Sequence, residues 1–480
     1  MMKTIIEPMA QLNEVSELRQ NIVRGELPAV MDGCIDASKS HLAYTLAEGY
    51  PNRLVVTYND VRARELYESF RFFDREVYNY PAKDLIFYSA DVHGNQIVHE
   101  RLRAVRRLLD KTPVTIVTTV DALMDFVMPL EFLREKVWTI NVGAIVSQDV
   151  LATRLVHLGF ERVAQIEEAG QFCVRGGIVD IFNVSDECPY RIEFWDDEVD
   201  SIRSFDVDSQ RSIENCESFT IYPASEFFFS TSVMEQGLRK IRDEAESTIK
   251  KFKKQGKLES ADRLRRTTAE FEEDFRAQLG FANVDAYIGY FYDSTVSFLD
   301  YFANEDGIIF LDEPNRMEEK GKAVEYEFRE GMTGRLEKGY ILPGQMNALY
   351  EMKSLWHKFD QMRTIAFETL NQRQKLLNVK HQYNVTVNSI HTYNSNFEML
   401  VKELQTWKKD KYKVVLVSGS ETRAKRLAQD LRDYELSAFY CDDAERIVQD
   451  GEIMVVTGHL RQGMEYPMIK LAIVADRKST

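Results

Sequence analysis

The chain has 480 residues, too many for a single hydrophobic core, and predicts about three or four domains of roughly 100 to 200 residues each. Its hydrophobic content of 44% and charged content of 29% are typical of a soluble protein, and no run of about 18 apolar residues indicates a membrane span. The net charge of −16 argues against extensive binding of nucleic acid, which needs clustered lysine and arginine, and favours a protein partner.

The amino-terminal segment and the cysteines both predict a cytoplasmic protein. The segment MMKTIIEPMAQLNEV carries acidic residues and no sustained apolar core, so it differs from a secretory signal. The five cysteines, at positions 34, 173, 188, 216 and 441, form no CxxC pair, which argues against a zinc site and against a disulfide scaffold. We therefore expect no bound metal and a reducing compartment.

The first motif lies between a predicted strand at 26–31 and a predicted helix at 39–47. The segment GCIDASKS has the spacing of a phosphate loop, GxxxxGK[ST], but a serine stands where the second glycine belongs. A phosphate loop closes backbone N–H groups around the anion, and glycine allows approaches that a side chain obstructs. Asp36 would also place a negative charge inside the cradle. We expect a relic loop that caps its helix and binds no ATP. Its residues are Gly33, Ser38, Lys39 and Ser40.

A second remnant of a nucleotide site lies much later in the chain. The run GIIFLDE predicts a buried strand that ends in Asp312 and Glu313, as in a Walker B element. In a working site the Asp would hold Mg²⁺ and the Glu would orient the attacking water. Alternating strand and helix patterns around both remnants indicate a doubly wound parallel sheet. Residues 1–136 and 222–378 are therefore predicted to form one degenerate P-loop domain of the RecA/helicase-like α/β class.

Residues 137–221 are predicted as a mainly antiparallel α+β domain inserted into that fold. Apolar runs at 172–182, 190–195 and 199–205 are separated by turn-forming clusters, which predicts a three-stranded antiparallel meander. Only Asp-Asp and a glutamate separate the second and third runs, so those two strands must pair directly. The segment holds six arginines and sixteen Asp and Glu residues, a net charge of about −10, and such a surface repels DNA.

Three side chains of this meander are candidate binding residues. Arg175, Arg191 and Trp195 lie on neighbouring strands and belong to residue types that are enriched at binding hot spots. They would be cationic and aromatic anchors in an acidic field. The alternative is that both arginines form ion pairs within the domain and that the indole packs inward. The acceptors for such pairs would be Glu193, Asp180 or Asp197.

The rest of the chain divides into a helical part and a small α/β part. Charged segments with apolar stripes at 233–255 and 258–279 predict a helical hairpin, whose KKFKK run is more typical of a solvated face than of a DNA contact. A linking helix is predicted at 352–377. Strand and helix patterns after it predict a small α/β domain with a parallel sheet at 379–480.

Several strings in the chain resemble a known family. RGGIVDIF, which begins at residue 175, and the following PYRIEFWDDEVDSIRSFDVDSQRS resemble the small inserted domain shared by the excision-repair protein UvrB and the bacterial transcription-repair coupling factors. The string GHLRQGMEYPMIKL resembles the end of the third domain of the coupling factors, which UvrB lacks. UvrB keeps an intact phosphate loop, whereas the first domain of the coupling factors has lost it. The serine at position 38 therefore favours the coupling factors.

The resemblance implies an adaptor that binds UvrA and is not itself an enzyme. It implies that Arg175, Arg191 and Trp195 form the UvrA-docking face, although many relatives carry Phe in place of this Trp. The complete protein would remove stalled RNA polymerase with an ATP-driven DNA translocase and recruit nucleotide excision repair through this N-terminal fragment. RNA polymerase, DNA, ATP and Mg²⁺ are expected to bind parts of the protein beyond this chain, and this fragment is expected to contact those parts.

Two other functions are compatible with the sequence. A UvrB-type ATPase that loads damaged DNA requires a glycine-closed phosphate loop and an aromatic β-hairpin, and the segment between Tyr80 and His99 is too short for a convincing one. A scaffold that holds the motor of the complete protein inactive is compatible with the acidic surface.

Overall fold

The computed structural model describes residues 3–83, 92–276, 284–371, 375–390, 393, 396–443 and 445–476. In this part of the chain no helix is both long enough and apolar enough to cross a lipid bilayer. The α-helices, in chain order, are α1 (Lys3–Ile6), α2 (Asn13–Arg24), α3 (Asp36–Leu46), α4 (Asp60–Phe70), α5 (Val92–Leu109), α6 (Leu130–Arg134), α7 (Gln148–His157), α8 (Thr231–Lys254), α9 (Leu258–Arg276), α10 (Ile288–Phe291), α11 (Pro314–Glu337), α12 (Met352–Gln361), α13 (Phe397–Lys409) and α14 (Glu421–Arg432).

The strands, in chain order, are β1 (Ala29–Asp32), β2 (Asn52–Thr57), β3 (Val77–Tyr80), β4 (Val114–Thr119), β5 (Trp138–Asn141), β6 (Glu161–Arg162), β7 (Gln171–Arg175), β8 (Ile178–Ile181), β9 (Tyr190–Trp195), β10 (Glu198–Phe205), β11 (Ser212–Cys216), β12 (Ser218–Ile221), β13 (Gly307–Asp312), β14 (Thr364–Phe367), β15 (His381–Asn384), β16 (Asn388–Ile390), β17 (Lys413–Ser418), β18 (Ala438–Tyr440), β19 (Ile453–Thr457), β20 (Gly463–Tyr466) and β21 (Leu471–Asp476).

The largest sheet is built from both sides of the insertion. Its seven strands run in the order β15-β1-β14-β13-β2-β4-β3, and all neighbouring strands are parallel. Alternate residues of β13 enter two separate hydrophobic clusters, Ile309 and Leu311 in one, Ile308 and Phe310 in the other. Since successive side chains of a strand point to opposite faces, both faces of this sheet are buried, as parallel sheets require. The predicted parallel α/β fold with an inserted, mainly antiparallel domain is confirmed.

The insertion folds as a six-stranded sheet, β11-β10-β9-β8-β7-β6, in which neighbours are antiparallel except β6 and β7. A short antiparallel pair, β5 with β12, holds its two ends together. The predicted three-stranded meander is wrong because residues 172–182 form two strands. The chain turns back at Gly176 and Gly177, and Gly176 has a φ of 60°, which glycine adopts without a steric penalty.

The last sheet has six strands in the order β16-β20-β21-β17-β19-β18 and packs against α13 and α14. Four of these strands, β17, β18, β19 and β21, are parallel, whereas β16 and β20 are antiparallel to their neighbours. The last domain is predicted to begin at 379, but β15 pairs in parallel with β1 and is therefore part of the seven-stranded sheet. The other predicted domain boundaries stay predictions.

The predicted linking helix at 352–377 is wrong beyond its first part. Helix α12 ends at Gln361, and the next residues form β14, which lies between β1 and β13. The helical hairpin is present as α8 packed against α9. Residues 372–374 of the predicted linking helix, 277–279 of the predicted hairpin, and 84–91 of the segment between Tyr80 and His99 lie outside the described residues.

Helix α3 connects the largest sheet to the last one through a buried imidazole. His41 Nε2–H donates to the carbonyl of Ile5 at 2.9 Å, so Nδ1 accepts from the Tyr466 hydroxyl, also at 2.9 Å. Tyr466 ends β20 and is itself fully buried. Burial lowers the pKa of His41 to about 4. The neutral imidazole is therefore part of the contact between α3, which packs on the largest sheet, and β20 of the last sheet.

This contact predicts a pH-dependent stability that requires His41. In the unfolded chain the imidazole has its ordinary pKa of 6.5, so the unfolded state takes up a proton that the folded state excludes. The contribution of His41 to stability is complete above that pKa and is lost as the pH falls toward about 4. The stability of wild type relative to His41→Gln should fall by about 2 kcal/mol between about pH 7 and about pH 5, measured by urea unfolding. A difference that does not change with pH would contradict this assignment.

Candidate protein-docking site

The three predicted binding residues lie on one face of the inserted sheet. Arg175 on β7 pairs with Ile178 on β8, and Ile178 pairs with Glu193 on β9. Directly opposed residues of antiparallel strands share a face, as do residues two apart on one strand. Arg175, Arg191 and Trp195 therefore point to the same side of the sheet. The opposite side carries the apolar residues that enter the largest hydrophobic cluster.

A single carboxylate joins the two arginines. Asp180, with a side chain 1% exposed, accepts from Arg191 Nε at 2.7 Å, from Arg191 Nη2 at 2.8 Å and from Arg175 Nη2 at 2.7 Å. Arg191 also donates to Gln210 Oε1 at 3.1 Å and lies 4.4 Å above the ring of Phe205. The hydrogen bonds to Asp180 raise the pKa of Arg191 above its ordinary value. The ion pairs weighed from the sequence are thus present, with Asp180 as the shared acceptor.

The three candidates differ in how much of each side chain faces solvent. Arg191 is 13% exposed and Arg175 is 45% exposed, whereas Trp195 is 80% exposed. The expectation that both arginines are outward anchors therefore holds for Arg175 and not for Arg191, whose guanidinium lies mostly within its own domain. The indole does not pack inward. What this face offers to a partner is mainly Arg175 and Trp195.

Trp195 stands where β9 turns tightly into β10. It pairs with Glu198 across a two-residue turn, and Asp196 in that turn has a φ of 58°, as primed hairpin turns require. Ile145, which precedes α7, forms a β-bridge with the same Glu198 and is 84% exposed. Cross-strand partners share a face, so Ile145 and Trp195 are exposed apolar groups on the same side. Sequence analysis missed Ile145 because it lies outside the meander.

Two further charged groups on this face, Arg203 and Glu193, pair with each other. Arg203, opposite Arg191 on β10, forms an ion pair with Glu193. The hydroxyl of Ser201 donates to the same carboxylate at 2.9 Å. Both oxygens of Glu193 are therefore engaged by β10. The arrangement can therefore bind a surface that offers an acceptor for Arg175 and an apolar contact for the indole.

The relic phosphate loop is closed by carboxylates of its own chain. Lys39 Nζ lies 2.7 Å from Asp312 Oδ1, 2.7 Å from Glu313 Oε1 and 3.4 Å from Asp36. Arg62 donates to the other oxygen of Asp312 at 3.0 Å and lies 2.9 Å from Asp36. Burial opposes ionisation of Asp312 and Glu313, but the neighbouring cations outweigh it. Lys39 and Arg62 lower the pKa of Asp312, and Lys39 lowers the pKa of Glu313. A phosphate that entered here would have to displace two carboxylates from the lysine.

The backbone around the relic loop leaves little space for an anion. Gly33 has a φ of 75°, and a Cβ placed there would lie 2.2 Å from the carbonyl oxygen of Val385, just after β15. The Ser38 hydroxyl donates to the carbonyl of Ile35 at 2.8 Å. The predicted helix-capping role is wrong, because the N-cap of α3 is Ile35 and no side chain caps this helix. Ser38 and Ser40 are both fully buried. Of the six predicted residues, the structure joins Lys39, Asp312 and Glu313 in one ion-pair cluster. The contacts described for Gly33 and Ser38 are to Val385 and Ile35 instead.

Sequence comparisons relate the chain to a family model and to named proteins. Residues 138–227 match the family model described as the UvrB interaction domain, and this range spans β5 to β12. The transcription-repair-coupling factor of Bacillus subtilis (strain 168) is 30% identical over 84% of the chain and 34% of its own length. Those of Staphylococcus haemolyticus (strain JCSC1435) and Staphylococcus aureus (strain MRSA252) are 25% and 24% identical, over 92% and 97% of the chain. The chain is homologous to the N-terminal region of the transcription-repair coupling factors.

The homology confirms the resemblance that the sequence strings indicated. The chain spans 34%, 37% and 39% of the lengths of these three coupling factors. The inserted sheet, with Arg175, Arg191 and Trp195 on one face, is the part that matches the UvrB interaction domain. The assignment of these three residues to UvrA binding, and of the relic loop to a site that does not function, stays a prediction.

Proposed function

We propose that this chain is a non-catalytic adaptor that binds UvrA through the exposed face of the inserted sheet and brings nucleotide excision repair to stalled RNA polymerase. The observation that carries the proposal is the outward position of Arg175 and Trp195 on a domain that matches the UvrB interaction domain model. Contacts with RNA polymerase and DNA, and ATP-driven translocation, belong in this proposal to the remainder of a coupling factor.

The chemistry of the face suits a protein partner. The domain carries a net charge of about −10, which disfavours polyanions such as DNA. Arginine and tryptophan are among the residues that contribute most at protein interfaces, the first through paired N–H donors and the second through a large apolar area. An acidic group on UvrA would pair with Arg175, and an apolar depression would receive the indole.

Capture of purified UvrA by the immobilised chain tests the proposal. Wild type should retain UvrA, Arg175→Ala should retain much less, and Arg191→Ala should also lose capture because Arg191 helps fix the carboxylate that holds Arg175. Arg162→Ala, which removes an exposed arginine from the edge strand β6 of the same sheet, is the matched control and should bind like wild type. Unchanged capture by both Arg175→Ala and Arg191→Ala would reject this face as the docking site.

The alternative of a UvrB-type ATPase makes a separate prediction. Calorimetric titration of the chain with ATP and Mg²⁺ should give no saturable heat, because Lys39 is already held by two carboxylates at 2.7 Å and Gly33 lies against the backbone of Val385. The structure thus supports an adaptor that does not bind nucleotide. A saturable heat that ADP abolishes by competition would restore the ATPase alternative.

A further inference from the structure

Asp180 is a buried carboxylate on the face of the inserted sheet that carries Arg175, Arg191 and Trp195. It lies opposite Cys173 on β7 and opposite Arg191 on β9, so it is central to the face that carries the docking residues. Its two oxygens accept three N–H donors from the arginines at 2.7 to 2.8 Å, and the Cys173 thiol lies 3.7 Å from Oδ2. With a side chain 1% exposed, Asp180 itself has no surface to offer a partner.

The two arginines use this carboxylate differently. Arg191 is bound through two nitrogens, is further fixed by Gln210 and Phe205, and has little exposed surface. Arg175 is attached through Nη2 alone and is 45% exposed. Within the described part of the chain its other N–H groups have no acceptor. Arg175 is therefore the arginine whose N–H groups can still donate to a partner. Its hydrogen bond to Asp180 fixes the direction in which these N–H groups point.

We propose that Asp180 is a positioning residue for UvrA docking, which acts through Arg175 and does not touch UvrA. The inference rests on the proposed function. A guanidinium fixed in advance can meet a carboxylate of the partner through two parallel N–H donors, and fixing the side chain before binding removes an entropic cost from association. Asp180 carries one negative charge and the two arginines carry two positive charges, so the three groups together keep one positive charge. Asp180 can therefore orient Arg175 and still leave a positive charge for the partner.

A double-mutant cycle on the dissociation constant for UvrA tests this role. The four proteins are wild type, Asp180→Asn, Arg175→Ala and the double variant, titrated with UvrA in calorimetry. Asparagine keeps the shape of aspartate and loses its charge. Each single change should weaken binding about tenfold, and the double change should also weaken it about tenfold, because residues that act through one contact are not additive. Additive loss, about a hundredfold, would show that Asp180 acts independently of Arg175 and would overturn the proposal.

A second variant keeps the test decisive if Asp180→Asn unfolds the domain. Arg175→Lys retains the positive charge at a 45% exposed position but cannot form the two-donor geometry. It should bind UvrA about as weakly as Arg175→Ala, and wild-type affinity for Arg175→Lys would overturn the proposal. If wild type itself fails to bind UvrA, the proposed function is wrong. If wild type binds, Arg175→Ala weakens binding and a folded Asp180→Asn does not, only the role of Asp180 is wrong.

Discussion

Replacing Lys39 by methionine is expected to lower the free energy of unfolding by about 3 kcal/mol. The lysine is 2% exposed and lies between Asp312, also 2% exposed, and Glu313. Without it, Asp312 keeps Arg62 and the Thr57 hydroxyl. Among the described residues, the Glu313 carboxylate keeps hydrogen bonds from Thr369 alone, at 2.9 Å from the backbone N–H and 2.6 Å from the hydroxyl. Breaking one side of a buried ion pair leaves charge without compensation, which costs more than a lost surface pair.

Urea unfolding of wild type and Lys39→Met measures this cost, with Lys322→Met on α11 as the matched control. Lys322 pairs with Glu318 at 2.7 Å but is 65% exposed, so its replacement should have little effect. The pH dependence gives a second check. Since Lys39 helps to hold the pKa values of Asp312 and Glu313 below their ordinary values of 3.8 and 4.5, its contribution is present at neutral pH. It is lost as the pH falls below those ordinary values and through the lowered pKa values of the folded state. Equal stability of the two lysine variants would contradict the cluster described here.

The buried cluster also shows what the sequence could and could not predict about the relic loop. The serine at position 38 predicts a loop that has lost its anion cradle, and the strand that ends in Asp312 and Glu313 predicts a second remnant. The sequence does not show that Lys39 pairs with Asp312 and Glu313. This pairing depends on the sheet order β1-β14-β13, in which β14 separates the strand before the loop from the strand that ends in Asp312. The strained φ of 56° at Glu313 is equally invisible in sequence.

The strands were predicted correctly where the apolar runs are long, and the prediction failed where the runs are short. β13 and the other buried strands of the largest sheet give clear apolar runs, whereas β14 has only four residues, TIAF, after a helix with apolar residues at helical spacing. Periodicity cannot separate so short a strand from a continued helix. The turn at Gly176 and Gly177 was missed for a related reason, since apolar residues continue on both sides of it.

The docking face shows a different limit. The resemblance predicts Arg175, Arg191 and Trp195, and strand alternation places them on one side. Sequence also suggested the ion pair with Asp180, but as an alternative to docking. In the structure the ion pairs with Asp180 are present, Arg191 lies mostly within its own domain, and Arg175 stays partly exposed. The ion pairs therefore do not exclude a docking role for Arg175, which stays a prediction.

Truncation of Trp195 to alanine is expected to weaken UvrA binding by about 2 kcal/mol, roughly thirtyfold, which is the size of a hot-spot effect. The side chain is 80% exposed, so little of its apolar area is buried until a partner covers it. For the same reason the stability of the chain should change little, as is usual for surface substitutions. Titration calorimetry with UvrA measures the affinity, and thermal unfolding of the free chain measures the stability.

Two further substitutions separate a docking role from a general effect of removing an aromatic ring. Tyr326→Ala on α11 removes a ring that is 68% exposed but lies on a different domain, and should leave UvrA affinity unchanged. Trp195→Phe keeps a flat apolar group at the end of β9. It should retain most of the affinity for UvrA, because the phenyl ring still buries most of the apolar area that the indole would bury. If Trp195→Ala binds as tightly as Tyr326→Ala, the indole is solvated in the complex, and the contact with UvrA must be carried by the arginine side of the face.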